Sequence, residues 1–576
     1  MKSFFGFLLL AVSSAFAQQT DLKTPYEKGN GNQSATYQEV IDYYQKLDKA
    51  FETVSMKTMG ITDSGEPLHI VTYNPDKNFD FLSIHSSKKN VLLINNGIHP
   101  GETDGIDATM LFLKDLATGK LTAPENTVVV AIPVYNIGGA LNRNSTSRVN
   151  QNGPEAYGFR GNARNFDLNR DFIKSDTKNS RSFQVLFQMV NPEVFIDNHV
   201  SNGADYQYTL TYISTHYQKL GGYLSIFFNG MMVPAILKDL KSKAIESVPY
   251  VNIYNDTPEH GFAKNMDSPR FSTGYASMFN TMGFMVETHM LKPYHERVRA
   301  TYEFMHSTLD YMDKNNLVIK KQRKDNWTYF KPNTKYTVQW EIDSAKVTEI
   351  PFLGYEGNYK PSDVSKKPRL YYDRSKPFKK QIPFYEVYKP KKEIVIPQAY
   401  VIPKEQWEVI DLLKINKIEM STIKNDTTIT VESYKITDYK TGKEPFEGHY
   451  PHYNTSVAAS TEKIKFNKGD IIVKTQQRNV KYLLETLEPE ATDSFFNWNF
   501  FDAILQQKEY YSPYVFEDLA KKILDENPKI KAELEKKRKE DNAFADNGAA
   551  QLDWVYKNSK YFEKAYLHYP IYRIQY

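Results

Sequence analysis

The chain has 576 residues, 40% hydrophobic and 25% charged, an ordinary globular composition with apolar material for more than one core. At roughly 100–200 residues per domain, this length implies about two to four domains. A net charge of +4 gives no electrostatic reason to bind nucleic acid, and the lack of cysteine excludes disulfides, Cys-ligated zinc and a lipid anchor on an N-terminal cysteine.

Residues 1–17 read as a secretory leader. Lys2 is the basic start, Phe4 to Val12 is an apolar core too short to span a bilayer, and Ala15-Phe16-Ala17 fits the small-x-small cleavage pattern. A mature start at Gln18 and a secreted or periplasmic location are expected. No later run of 18 apolar residues predicts a membrane span.

Residues 18–35 form a polar, irregular lead-in. Thr36 and Glu39 have capping-box spacing, and Val40, Tyr44, Leu47 and Phe51 recur at helical spacing, so 37–54 is predicted as an amphipathic helix. Leu68 to Tyr73 looks like a strand. Val91 to Ile94 is an apolar strand that stops at Asn95-Asn96-Gly97, with a helix expected from Asp104 to Leu116. Thr127 to Tyr135 is a second apolar strand. The polar stretch 136–170 has no periodicity, and a loop that long is uncommon unless it has a function.

Phe183, Leu186, Phe187 and Val190 mark another helix. Val194 to Ile196 is a strand ending at Asp197-Asn198-His199, Phe284 to Val286 is a strand ending at Glu287, and His295 to Tyr311 looks helical. This alternation predicts an α/β domain over 36–315, with a mainly parallel or mixed sheet flanked by helices. Residues 316–335, with Lys320 to Lys324 (KKQRK) and Pro332-Asn333-Thr334, suggest a linker. Residues 336–485 alternate in short runs and predict a β-rich accessory domain, and 486–576 a helical C-terminal segment. Ten Lys/Arg between Lys366 and Lys392 read as a solvated linker or edge.

The chemistry starts at the Val91–Ile94 strand end, because ligands of open α/β sheets bind at the carboxyl ends of strands. His99 and Glu102, an imidazole and a carboxylate three residues apart, lie just past that end and can hold one metal ion. His199, at the end of another strand, supplies a third ligand. Three ligands and one open position make the usual catalytic zinc site. The helical H-E-x-x-H arrangement is absent, since His295-Glu296 is followed by Arg297-Val298-Arg299.

In order along the chain, His99-Pro100-Gly101-Glu102, Asp167-Leu168-Asn169-Arg170, Asp197-Asn198-His199 and Gly283-Phe284-Met285-Val286-Glu287 resemble the motifs of the zinc carboxypeptidases of the carboxypeptidase A type. The resemblance covers about 36–315 and leaves 336–576 unexplained. It implies one Zn²⁺ held by His99, Glu102 and His199, with Glu287 as catalytic general base. It also implies Asn169 and Arg170 as the grip on a substrate's terminal carboxylate, and a peptide or peptide-like substrate with a free C-terminus.

The family also uses an arginine upstream of the N-R pair for the oxyanion. Arg143, Arg148, Arg160 and Arg164 all lie in the 136–170 loop, and Arg148 is the preferred candidate. A tyrosine over the substrate is expected at Tyr275, within Ser272-Thr273-Gly274-Tyr275. His289 is the rival base to Glu287. The rival functions are a zinc amidohydrolase acting on peptidoglycan stem peptides or N-acyl amino acids, and a catalytically inactive binding protein displaying the C-terminal module.

Overall fold

The computed structural model describes residues 21–575. The expected leader over 1–17 lies outside the described residues.

Eight strands form the central sheet: β1 (Val54–Ile61), β2 (Pro67–Tyr73), β3 (Asn90–Asn95), β4 (Thr127–Ile132), β5 (Val194–Ser201), β6 (Leu210–Ser214), β7 (Ser247–Pro249) and, after a two-residue strand β8 (Phe262–Ala263) that joins another sheet, β9 (Met282–His289). Their order is β1-β2-β4-β3-β5-β9-β6-β7. The four middle strands, β4-β3-β5-β9, are all parallel, and β1, β2 and β6 join antiparallel.

Helices cover both faces of the sheet, and this is why β3 is a continuous apolar run rather than an alternating one. Successive side chains of a strand point to opposite faces. Val91 and Leu93 accordingly enter one core, with Phe183 and Phe187 of the helix Lys178–Val190. Leu92 and Ile94 enter the other, with Tyr44, Phe112 and Phe304 from the helices Tyr37–Ala50, Asp104–Ala117 and Tyr294–Lys314. Each fully buried large side chain of this kind contributes roughly 1.5–3 kcal/mol. The Thr36 capping box forms: Glu39 N–H donates to Thr36 Oγ1 at 3.3 Å and Thr36 N–H to Glu39 at 2.8 Å.

The stretch 316–335, expected as a linker, is largely a helix, Asn316–Asn326. Arg323 fixes it to the sheet by donating to the Asn191 carbonyl at 3.0 Å and pairing with Glu193 at 3.2 Å. The basic run that suggested a break belongs to a docked helix: Lys321 and Lys324 are exposed, while Arg323 is buried and Lys320 pairs with Glu193 at 2.9 Å.

Beyond it come β10 (Lys335–Ile342), β11 (Thr348–Pro361), β12 (Pro368–Tyr385), β13 (Tyr388–Val395), β14 (Ala399–Ile402), β15 (Ser421–Thr422), β16 (Thr427–Thr441), β17 (His452–Phe466), β18 (Ile471–Lys474) and β19 (Tyr572–Ile574). The order β15-β18-β14-β19-β16-β17 makes a six-stranded sheet, while β11-β12 reach back to β8. Part of the 366–392 basic run lies on β12, where Arg374 pairs with Asp205 at 2.7 Å.

Three helices, Pro513–Glu526, Pro528–Glu540 and Gly548–Lys557, build a small core of their own from Phe516, Leu534 and Tyr556. The chain then returns as β19 between β14 and β16, a strand inside the segment expected to be helical. The accessory sheet is fused to the α/β domain: Tyr336, Ile394, Tyr400, Trp498 and Tyr569 share one apolar core with Phe172, Phe183 and Tyr275.

Candidate active site

Parallel pairing brings the strand ends together. Asn95 of β3 is the register partner of Asp197 on β5, and His199 of β5 is the partner of Glu287 on β9. His99 and Glu102 follow β3 on a short turn closed by Glu102 N–H to the His99 carbonyl at 2.8 Å. The ligand atoms of His99, Glu102 and His199 lie within 4.8 Å of one another, and all three residues are buried.

These residues fit a zinc ion. His99 Nδ1 is buried without a hydrogen-bond partner and lies 3.3 Å from Glu102 Oε1, while His199 Nδ1 is 3.1 Å from Glu102 Oε2. Each imidazole is fixed from behind by a carboxylate: His99 Nε2 is 2.9 Å from Asp167 Oδ1, and His199 Nε2 is 3.0 Å from Asp197 Oδ2. Such pairs hold the proton on Nε2 and turn Nδ1 to a metal. Burial works against ionisation of Glu102, but the Arg148 guanidinium and the two histidines outweigh it and hold the carboxyl well below its usual range.

Glu287 lines the same cleft as the triad. Among the described residues, no group donates to its carboxylate. Burial pushes this carboxyl up to about 8, with the His199 imidazole opposing. His289, the rival base, is fully buried and both its nitrogens are occupied. Leu291 N–H donates to Nδ1 at 3.1 Å, and Nε2 is 2.9 Å from the Ala204 carbonyl.

Asn169 and Arg170 lie on a single 3-10 turn, Leu168–Arg170, capped by Asp167, whose side chain accepts from Asn169 N–H at 2.9 Å. Asn169 Oδ1 accepts from Ser272 N–H at 3.0 Å, which leaves its Nδ2 donors for a ligand. The Arg170 guanidinium stacks over Phe271 at 4.6 Å and donates through Nη1 to the Asn169 carbonyl at 2.9 Å. Both residues line the cleft with the triad and Glu287.

The four loop arginines separate. Arg143 donates to the Ser34 and Ala35 carbonyls, and Arg164 donates to the Asp176 carbonyl and covers Phe166. Arg148 and Arg160 line the cleft. Arg148 donates to Glu102 Oε1 at 2.8 Å, and Arg160 pairs with Asp167 at 2.9 Å. Arg160 thus joins Arg148 as a second candidate, which spacing did not select.

Tyr275 is not over the cleft. It is fully buried on the helix Ser272–Met278, packed on Phe172 and Phe187, with its hydroxyl donating to Asn416 Oδ1 at 2.6 Å. The apolar neighbours that draw it inward lie far away in sequence. The cleft tyrosines are Tyr250 and Tyr254, whose hydroxyls are 3.0 Å apart. They follow β7 in a stretch without periodicity, so no sequence signal singled them out.

Two further groups escaped the sequence reading. Asp197 had a readable signal: two residues before His199 on one strand, it must share that residue's face. Asp267 had none. It lines the cleft beside Arg170, Ile213 and Met285, accepts from the Thr273 hydroxyl, and has no cationic partner within 4 Å among the described residues.

Two histidines and a carboxylate that could hold a metal ion share one cleft with the Glu287 carboxylate, Asn169 and Arg170. Residues 40–226 match a family model described as zinc carboxypeptidase, so that part of the chain is similar to this family of zinc-dependent metallopeptidases. The match ends short of β9, so the role of Glu287 rests on its place in the cleft. No curated protein matches the chain.

Among solved structures, a metallo-carboxypeptidase from Burkholderia cenocepacia is 14% identical, with 49% of this chain and 70% of that one covered at a TM-score of 0.36. Carboxypeptidase A from Helicoverpa armigera is 14% identical over 49% and 74%, at 0.36. A metallo-carboxypeptidase from Pseudomonas aeruginosa, in complex with (2-guanidinoethylmercapto)succinic acid, is 12% identical over 48% and 69%, at 0.35.

Proposed function

We propose that the protein is a secreted or periplasmic carboxypeptidase that removes the last residue of a peptide. The observation that carries this is the Asn169-Arg170 turn opening into the same cleft as His99, Glu102, His199 and Glu287. A carboxylate gripped there places only the terminal amide at the reacting centre. The location rests on the leader-like residues 1–17 alone.

His99, Glu102 and His199 would hold one zinc ion, which would supply Lewis-acid polarisation of the scissile carbonyl and acidify the attacking water. Glu287 accepts that water's proton on its carboxylate and returns it to the leaving amine nitrogen. Arg170 pairs with the substrate carboxylate through parallel hydrogen bonds, and the Asn169 Nδ2 donors add a third. Arg148 or Arg160 faces the developing oxyanion. Asp267, with no cationic partner within 4 Å among the described residues, favours substrates whose terminal side chain carries a positive charge.

The test compares one N-blocked peptide as free acid and as C-terminal amide, alongside cell-wall stem peptides and N-acyl amino acids. Fast cleavage confined to the free-acid peptide is expected. Equal cleavage of acid and amide, or cleavage of the cell-wall or N-acyl compounds alone, sinks the carboxypeptidase reading in favour of an amidohydrolase.

A further inference from the structure

The tip of the β16–β17 hairpin, residues 442–451, lies against the Asp167–Arg170 turn. Glu447 Oε2 accepts from the Asp167 backbone N–H at 2.9 Å, across 280 residues of sequence. Asp167 is the carboxylate behind His99 and the partner of Arg160, and it caps the turn that carries Asn169 and Arg170.

The tip is clasped on both sides. His449 Nε2 is 2.8 Å from Asp176 Oδ2, and the position a Cβ would take on Gly448 is 2.9 Å from Phe166. Phe446 stacks on Trp498, and Trp498 also carries Arg270, which is held by Asp493 at 2.6 Å. Arg270 directly precedes Phe271, the ring under the Arg170 guanidinium.

The hairpin tip itself is built against its own preference. Phe446 and His449 exchange backbone hydrogen bonds around two central residues, Glu447 at φ +51° and Gly448 at φ +82°. A two-residue turn with both central φ positive favours Asn-Gly, because asparagine tolerates the left-handed region and glutamate does so poorly. A glutamate kept there is a local cost, and strain of this kind points to function when the side chain has a partner. Here the side chain reaches the turn that carries the grip.

We propose that Glu447 of the accessory region is a positioning residue for the substrate-carboxylate grip, holding the Asp167–Arg170 turn in place through the Asp167 N–H. This rests on reading Arg170 as that grip. It gives the C-terminal half of the chain a part in substrate binding, beyond its shared core.

The test uses the full-length, zinc-loaded protein and its Glu447→Asn and Glu447→Gln variants, with the free-acid and amide peptides. Asparagine suits the turn but is one methylene too short for the contact, while glutamine keeps an acceptor at full length. Glu447→Asn should raise KM for the free acid roughly tenfold, the scale of one lost hydrogen bond to a charged group, with kcat nearly unchanged. Its melting temperature should not fall. Glu447→Gln should stay close to wild type.

A wild-type KM in Glu447→Asn, an equal loss in Glu447→Gln, or a KM loss that comes with a lower melting temperature overturns the inference. Failure of Glu447→Asn to fold also overturns it, because the contact would then serve stability; Glu447→Ala is the second truncation held to the same outcomes. If wild type already cuts acid and amide alike, the grip reading itself has failed and takes the inference with it.

Discussion

His199 and Glu287 are register partners on adjacent parallel strands, β5 and β9. Parallel register partners present their side chains to the same face, so a candidate metal ligand and a carboxylate are placed side by side by backbone pairing. Glu287→Gln should therefore keep the metal and the fold while kcat falls by at least about 10²–10⁴-fold, the range of general acid–base catalysis. His289→Gln should instead lower stability, since both ring nitrogens are already bonded, and leave kcat within a few-fold of wild type. Normal turnover in Glu287→Gln with collapse in His289→Gln would reverse the assignment.

Metal content follows from the ligand set. Purified protein should carry about one zinc per chain and lose activity in a chelator. His99→Ala and His199→Ala should each lose the metal, because two protein ligands seldom retain zinc. Asp197→Asn should weaken zinc binding by about 10–100-fold without removing a ligand, as expected for a carboxylate that orients a ligating imidazole. Full zinc occupancy in His199→Ala, measured by elemental analysis, takes His199 out of the site.

Arg170→Ala and amidation of the substrate break the same contact from its two sides. Each should cost roughly 2–4 kcal/mol in kcat/KM, the scale of a truncated charge-assisted pair. The double combination should cost little more than either change alone. Additive losses in this cycle would place the substrate carboxylate elsewhere.

Asp267 makes a prediction about substrate side chains. Peptides ending in Lys or Arg should be cut faster than those ending in Glu. Asp267→Asn should reduce kcat/KM for the basic substrates by about 10–100-fold, the scale of one hydrogen bond between charged groups. It should leave a C-terminal Leu or Phe peptide nearly unaffected. Selectivity unchanged by Asp267→Asn would assign this carboxylate to the Thr273 hydroxyl alone.

Acid should destabilise the fold through two buried histidines. Burial pushes His216 down to about 3 and His289 to about 4, from an ordinary value of 6.5. Each accepts a backbone N–H at Nδ1, from Gln218 at 3.3 Å and Leu291 at 3.1 Å, so the added proton breaks a bond. Between these values the unfolded chain binds more protons than the native one. Stability is therefore complete above about pH 7 and falls as pH drops from 6.5 toward 4, by up to about 1.4 kcal/mol per pH unit for each group. Denaturant midpoints in His216→Gln and His289→Gln should depend less steeply on pH over that window. Slopes equal to wild type would locate the acid sensitivity in other groups.

Wherever the physics is local, the sequence by itself determined the result. Continuous apolar runs at Val91–Ile94 and Val194–Ile196 specified buried parallel strands, because both faces are covered. The Thr36 and Glu39 pair specified a helix start. His99 and Glu102 stood out as an imidazole and a carboxylate three residues apart past a strand, and His199 and Glu287 because they follow apolar runs, while Asn169 and Arg170 were singled out by the resemblance of Asp167-Leu168-Asn169-Arg170 to a family motif.

The tertiary structure decided everything set by contacts between distant segments. The order of strands in the sheet put His199 opposite Glu287. Tyr275 went into the core because Phe172, Phe187 and Asn416 surround it, and Tyr250, Tyr254 and Asp267 came to the cleft from stretches with no period to read. The basic helix Asn316–Asn326 was held by Glu193 where a linker was expected. Glu447 reached Asp167 only because the two halves of the chain share one apolar core. Side-chain periodicity records which face a residue takes on its own element; it carries nothing about which other element that face will meet.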